Sequence, residues 1–351
     1  MDQKTHNRFF RCPGFIIVSL LFFSSLLFAE VSSAENKTIG NGPKRTNFFS
    51  VRFFAAGHGD SALLTTPEGH NILVDSGMAD PKRGDDLLTR RLFPYFKKKG
   101  TKRLDAFILS HPHSDHIGNP RRLFRRVPFA ALYTNGDGAH FFRSRRMSFR
   151  NRDGSFVRPT ILKRGDILRF GGAKIEVLHP RKKNYLTKRG RSIGAINNRS
   201  LVIMVRYGDV SFLLPGDLSR TGERALVKTN LLKSVDVLKL GHHGQGSGSE
   251  EWINRLRPRY AVIPCCDHPW YEKVPRPVMN RLRRYNIRVF RTDRHKDVIF
   301  RTDGKTLTFH TEMNFRMLPA GHCIWAMKRG LIDKYSCRVS RKKRRFPQPD
   351  D

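Results

Sequence analysis

The stretch LSHPHSDHIGN, Leu109 to Asn119, places His111, His113, Asp115 and His116 within six positions, directly after the apolar run DAFIL and before a Gly-Asn-Pro turn. Imidazoles at His111 and His113 alternate with Pro112 and Ser114, so on an extended loop both rings point to one side, while Asp115 and His116 continue into the next turn. Four nitrogen and oxygen donors from one loop exceed what a single tetrahedral ion takes and suit two adjacent divalent ions. Such a pair lowers the pKa of a shared water towards ~7, which supplies a hydroxide nucleophile at neutral pH and polarises a scissile phosphoryl or carbonyl group. Further donors follow apolar runs elsewhere: His179 in IEVLHP, Asp217 in FLLPGD, and His242 and His243 in VLKLGHHG. Spacing alone does not choose between the last two. Covalent catalysis is disfavoured, because GQGSGS after these histidines is not a Gly-x-Ser-x-Gly elbow in a strand-to-helix setting.

Donors spread from residue 111 to residue 243 can meet only if the strands before them end at one edge of a sheet. NFFSVRFFAAG, SALLTTP and HNILVDSG, within residues 47–77, are short β-rich runs separated by Gly-Asp and Pro-Glu-Gly turns and predict an antiparallel meander. A helix is expected over 84–99, with Leu87, Leu88, Leu92, Tyr95 and Phe96 on its apolar face, Gly100 as its stop and Pro94 kinking it or delaying its start. LDAFIL, AALYT and AKIEVLHP read as strands, and 137–165 as basic and irregular. The second half alternates: strands SLVIMVRYG and VSFLLPGD, a helix near 219–228, strand VDVLKLGHHG, a helix near 249–256, strand YAVIPCC, a helix at 277–285, and strands IRVFRT, DVIFRT and TLTFH. That order predicts two packed sheets with helices on their outer faces.

The 351 residues are 38% apolar, enough for a full core, and carry a net charge of +37. The N-terminus reads as a secretory signal peptide over 1–34: Lys4, Arg8 and Arg11, then FIIVSLLFFSSLLFA, then small residues ending at Ala34. Its apolar run is shorter than the ~20 residues that a spanning helix needs, and no long apolar segment follows. The chain is therefore expected to be exported, to the periplasm, the medium or the cell surface, with no membrane span once processed. Most of the charge belongs to the rest of the chain. It gathers in RRLFRR (121–126), FFRSRRMSFRNR (141–152), RKKNYLTKRGR (181–191) and RKKRR (341–345), a surface that attracts DNA or another polyanion. Cys265, Cys266, Cys323 and Cys337 follow the signal, and in an exported chain Cys323 with Cys337 is the expected disulfide. None of the cysteines has the spacing of a zinc-ligand set.

GHGDS (57–61), ILVDSG (72–77), HPHSDHIG (111–118), NNRSLVI (197–203), PGD (215–217), LKLGHHG (238–244) and RTD (291–293) run in the order found in the metallo-β-lactamase superfamily. Over about residues 48–310 the chain resembles, more narrowly, the C-terminal hydrolase domain of ComEC-type DNA-uptake proteins and their free-standing relatives. The resemblance implies an α/β fold, an αββα sandwich with two divalent ions, zinc or manganese, at one edge. It implies that His111 and His113 hold the first ion, that Asp115, His116 and one of His242 and His243 hold the second, and that Asp217 bridges them. Asp60 and Asp75 match acidic positions that orient histidine ligands, and Asn198 and Ser200 match an element that contacts substrate. His58 stands where the relatives usually have glutamine. His179 lies in the interval where many superfamily members place a further histidine ligand.

The expected organisation is a signal peptide (1–34), a linker (35–47), a hydrolase domain (48–312) and a basic extension (313–351) whose tail is disordered. The expected activity is metal-dependent hydrolysis of a phosphodiester, with Asp115 in the catalytic centre and DNA or another anionic polymer as substrate. A role in uptake would need a partner that supplies the channel. The rival readings are a phosphorylcholine-esterase-like or lactone hydrolase, which would need a small pocket, and a surface protein that binds polyanions without chemistry.

Overall fold

The computed structural model describes residues 46–80, 85–151, 153–181, 192–265 and 273–312. The segment read as a signal peptide, Cys266, Cys323, Cys337, the basic tail and nearly all of the 181–191 run lie outside the described residues.

Two mixed sheets form the frame. The first contains β1 (Phe49–Phe53), β2 (Ala62–Thr65), β3 (Asn71–Val74), β4 (Leu104–Leu109), β5 (Phe129–Thr134) and β6 (Pro159–Ile161). The second contains β7 (Ile167–Phe170), β8 (Ala173–His179), β9 (Val202–Tyr207), β10 (Val210–Leu214), β11 (Val237–Lys239), β12 (Tyr260–Ile263) and β13 (Arg288–Arg291). The chain then returns to the first sheet with β14 (Val298–Thr302) and β15 (Leu307–Thr311). Strand order is β6-β5-β4-β3-β2-β1-β14-β15 in one sheet and β7 to β13 in sequence in the other.

The period-2 alternation of the strands divides the apolar residues between three layers. On β4, Ala106 and Ile108 point between the sheets, where they join Phe49, Val51, Leu64, Ile175, Ile203, Phe212 and Phe300, while Phe107 and Leu109 point outward. That outer face is covered by helices α1 (Phe93–Lys99), α2 (Pro120–Arg126) and α3 (Gly136–Ser144), through Phe96, Leu123, Phe124 and Phe142. The outer face of the second sheet is covered by α4 (Arg220–Val227), α5 (Glu250–Leu256) and α6 (Arg276–Arg284), through Leu226, Trp252, Ile253, Val278 and Leu282. The result is the expected αββα sandwich.

β1 to β3 are the antiparallel meander. β3, β4 and β5 are mutually parallel, as are β10, β11 and β12. Parallel strands end at one edge, and the loops leaving those ends begin at Asp75, Ser110, Asn135, Pro215, Leu240 and Pro264. Ligand sites of open α/β sheets form outside these carboxyl ends.

Several elements differ from the sequence expectation, among them strands β6 and β7, neither of which was read as a strand. The helix predicted from residue 84 starts at Leu88 as a wide π turn through Leu92 and continues as α1, with Pro94 in its first turn and Gly100 closing it at φ 67°. The region read as irregular from 137 opens with α3, capped by Asn135 Oδ1, which accepts from the Gly138 N–H at 2.8 Å. Glycines at 136 and 138 have weak helix propensity and hide the helix in the sequence. A Cβ at Gly138 would collide with Thr134 Oγ1, so close packing against the end of β5 accounts for that glycine.

Candidate metal centre

β4 delivers the histidine loop to the shared edge, and β3 delivers the residue that anchors it. Asp75 adopts φ 56°, a left-handed conformation that Asp tolerates better than most residues, and its carboxylate accepts from Ser110 N and Ser110 Oγ, both at 2.7 Å. The same carboxylate lies 2.8 Å from His116 Nδ1. A proton on Nδ1 therefore leaves Nε2 of His116 turned into the site as a ligand atom. His111 is fully buried, with Ser200 Oγ 3.3 Å from its Nδ1 and His113 Nδ1 3.0 Å from its Nε2.

The second sheet brings the remaining donors. After β10 the turn Pro215-Gly216-Asp217 passes so close to Ser110 and Ser200 that Gly216, at φ 54°, has no room for a side chain. The backbone N–H of Asp217 donates to Ser200 Oγ at 3.1 Å. Its Oδ1 then sits 3.1 Å from His116 Nε2, and its Oδ2 3.8 Å from both His111 Nε2 and His243 Nε2. After β11, His242 and His243 both take left-handed backbone angles, φ 46° and 52°, which swings the two rings apart. His243 turns in: Nε2 is 3.1 Å from Asp115 Oδ2, and Nδ1 is 3.1 Å from the Pro264 carbonyl. His242 turns aside, with Nδ1 2.9 Å from the Gln245 carbonyl and Nε2 3.3 Å from the Asn197 side-chain amide.

Asp115, His116, Asp217 and His243 thus offer four ligand atoms that all lie within 4.8 Å of one another, and Asp60, Asp75 and His116 form an overlapping group. His116 Nε2, Asp217 Oδ1 and Asp60 Oδ1 are buried and make no hydrogen bond. Each orphaned atom costs on the order of 1–3 kcal/mol, and a divalent cation among them satisfies that demand. His111 and His113 stand side by side, their ring centroids 4.6 Å apart, on the His111 side of Asp217. The four-residue group fits a divalent ion, while His111 and His113 belong to neither group and stand beside it, His111 Nε2 3.8 Å from Asp217 Oδ2.

Several expected residues have different duties. Ser200 is fully buried under His111 and Asp217, which corrects the expectation of a substrate contact. Asn198 Oδ1 accepts from the N–H and hydroxyl of Ser219 at 3.2 and 2.6 Å, so it ties its turn to the start of α4. His179 Nε2 lies 2.9 Å from the Asn198 carbonyl and belongs to neither ligand group, so the structure does not bring it to the metals. His58 is half-buried beside the centre, its ring 4.5 Å from that of His243 and its Nε2 4.0 Å from Asp115 Oδ2. Burial, followed by the charge on His243, lowers its pKa to about 4 and keeps it neutral at physiological pH.

Lys239, the last residue of β11, was not among the sequence candidates. It is almost completely buried, with Nζ against Asp60 Oδ2, 2.8 Å from the Gly216 carbonyl and 3.7 Å from Asp217 Oδ1. Burial disfavours its charge, but Asp60 and Asp217 outweigh that and raise its pKa. The one available signal was a lone lysine in the otherwise apolar VLKL.

The electrostatics favour positive charge. Burial opposes protonation of His116, yet Asp217, Asp115, Asp75 and Asp60 prevail and hold the imidazolium well above the ordinary histidine range. His243 is raised in the same way, chiefly by Asp217 against burial. Burial and then the charge on His116 push His111 well below that range. These shifts favour protons on His116 and His243, which an incoming ion must displace. Zinc affinity is expected to rise between pH 6 and 8, with about one to two protons released for the first ion bound. Calorimetry in buffers of different ionisation enthalpy measures this release, and a pH-independent affinity would contradict the ligand assignment.

Residues 55–268 match the family described as the metallo-beta-lactamase superfamily. The chain is 31% identical over 265 residues to ComE operon protein 3 of Bacillus subtilis (strain 168), a match covering 72% of this chain and 33% of that protein. It is 30% identical over 285 residues to Recombination protein 2 of Haemophilus influenzae, covering 80% of this chain and 30% of that protein. It is 29% identical over 256 residues to Competence protein ComA of Neisseria gonorrhoeae, covering 70% and 31%. The matched region amounts to about a third of the length of these curated relatives.

Proposed function

The chain belongs to the metallo-β-lactamase superfamily, and from that premise we propose that it is a binuclear metal-dependent phosphodiesterase whose substrate is nucleic acid. The observation that carries the proposal is the convergence of buried, unsatisfied ligand atoms from both sheets on one side chain, Asp217, in a chain with a net charge of +37. The relatives named for competence and recombination support a setting in DNA uptake. The N-terminal pattern of residues 1–34 supports export to that setting. No helix among the described residues is long and apolar enough to cross a membrane.

Two divalent ions, zinc or manganese, held by His111, His113, Asp115, His116, Asp217 and His243 would supply Lewis acidity at the phosphoryl group and acidify a water for attack. The chain's own residues do the rest. Asp75 and the Pro264 carbonyl fix the rings of His116 and His243, Ser200 fixes Asp217 and His111, and Lys239 holds Asp60 behind them. Asp115, at the rim and adjacent to His243, is held ionised against the cost of burial by His116 and His243. Neutral His58 faces the same space and can donate a hydrogen bond to a non-bridging phosphate oxygen. Neither Ser200 nor Cys265 offers a nucleophile: Ser200 is buried, and burial together with Asp293 pushes the Cys265 thiol up to about 12.

One metal-loaded preparation tested on bis-p-nitrophenyl phosphate, p-nitrophenyl phosphate, a lactone, a phosphorylcholine ester, and single- and double-stranded DNA is expected to cleave the phosphodiesters and DNA in preference to the rest. Hydrolysis of the lactone or the choline ester with DNA left intact across salt and pH would replace this reading with that of a small-molecule hydrolase.

A further inference from the structure

The loop that carries His243 is joined to a strongly basic cleft. Gln245 Nε2 donates to the Lys273 carbonyl at 2.8 Å, and Val274 packs directly on Gly244. From there α6 and the short helix Thr292–His295 after β13 frame a cleft of about 570 Å³, whose charged lining is Lys273, Arg276, Arg283, Arg291 and Arg294. On α6, Arg276, Met279, Asn280 and Arg283 follow helical spacing and form one stripe, opposite the buried Val278 and Leu282.

The charges of α6 are treated unequally. Arg281 and Arg284, on another face, both pair with Glu250, at 2.9 and 2.7 Å. Within the cleft Asp293 is taken by Arg291. Among the described residues no carboxylate lies within ion-pair distance of Lys273, Arg276, Arg283 or Arg294. Four like charges around one concave surface repel one another and focus a positive potential there. An anionic ligand with several charges at regular intervals relieves that repulsion.

We propose that this cleft is a subsite for the sugar–phosphate backbone of a nucleic-acid strand whose scissile bond lies at the metals. Arg276 and Arg283 are seven residues apart on the helix, about 10.5 Å along its axis. That is close to the rise of three stacked nucleotides at ~3.4 Å each, so the stripe can contact phosphates a few nucleotides apart on one strand without reading bases. The cleft thereby deepens the phosphodiesterase reading, on which it rests: it confers a preference for polymers over small diesters and gives the bound strand a direction, away from His243 along α6.

The test uses the full-length protein and the triple variant Arg276→Gln/Arg283→Gln/Arg294→Gln, with Arg281→Gln/Arg284→Gln as the matched control on the paired face. All three arginines of the triple variant are exposed, and melting temperature verifies the fold. Binding of a fluorescent 20-nucleotide single strand to metal-free protein is measured against salt. The triple variant is expected to flatten the log–log salt slope by about two, at ~0.7 per lost phosphate contact, and the control by less than half of that. With metal, the ratio of kcat/KM on the oligonucleotide to that on bis-p-nitrophenyl phosphate is expected to fall at least tenfold in the triple variant. Wild-type affinity and slope in a folded triple variant overturn the subsite while leaving the phosphodiesterase reading in place. A heparin fragment that binds the cleft as tightly as the oligonucleotide, with the same dependence on the three arginines, overturns the assignment to nucleic acid. Strand binding through the cleft without any cleavage overturns the phosphodiesterase reading instead.

Discussion

Asp217→Ala is expected to lower hydrolysis of bis-p-nitrophenyl phosphate by at least about 10³-fold, and to reduce bound metal from two ions per chain to one or fewer. Asp217 lies between three of the histidines: 3.1 Å from His116 Nε2 through one oxygen, and 3.8 Å from His111 and His243 through the other. Its removal takes a ligand from both ions at once and leaves the His111–His113 pair with too few donors to close a coordination shell. Asp75→Asn makes the instructive comparison. It weakens the hydrogen bond that orients His116 without touching the ions, so it should cost about 10–100-fold in metal affinity or activity. Elemental analysis of the purified variants, with steady-state rates at saturating metal, measures both effects. Full metal content and full activity in Asp217→Ala would rule out a shared ligand.

Lys239→Met carries the second large effect, on stability. The ammonium is buried against Asp60 and close to Asp217, both also buried. Replacing one partner of such an ionic group leaves the others uncompensated, at a cost of roughly 3–5 kcal/mol. At about 2–4 °C per kcal/mol for a domain of this size, the melting temperature should fall by roughly 6–20 °C. The deficit should be larger in chelator-treated protein than in metal-loaded protein, because added dications restore positive charge between the same carboxylates. Thermal melts with and without zinc measure both quantities. Equal melting temperatures for variant and wild type in chelator would show that Asp60 and Asp217 do not depend on the lysine.

The frame was legible because burial follows a simple period. Alternation in LDAFIL and VSFLLPGD foretold strands, and the residues just beyond them foretold which loops could meet. The histidine loop declared its chemistry by density alone. Elsewhere the sequence was silent for identifiable reasons. Choosing between His242 and His243 depends on two consecutive left-handed backbone conformations, and no spacing rule contains φ. Ser200 was in the right place with a bracing duty, since a polar residue near a site looks the same whether it faces substrate or supports a ligand from behind. Lys239 escaped because a single charge in an apolar strand reads as a misfit until the carboxylates opposite it are seen. Helix α3 escaped because its glycines serve packing against Thr134 at the expense of propensity.

The ligands are divided between the two halves of the sandwich: His111, His113, Asp115 and His116 leave the first sheet, while Asp217 and His243 leave the second. An ion held by both sets is a rivet through the seam between the sheets. Metal occupancy is thus also a mechanical state of the protein, strongest at the ligand edge and fading towards the opposite one. The Lys239–Asp60 pair crosses the same seam, from the end of β11 to the loop after β1, and does so permanently. Through that pair the sheets are expected to stay registered when the ions are withdrawn.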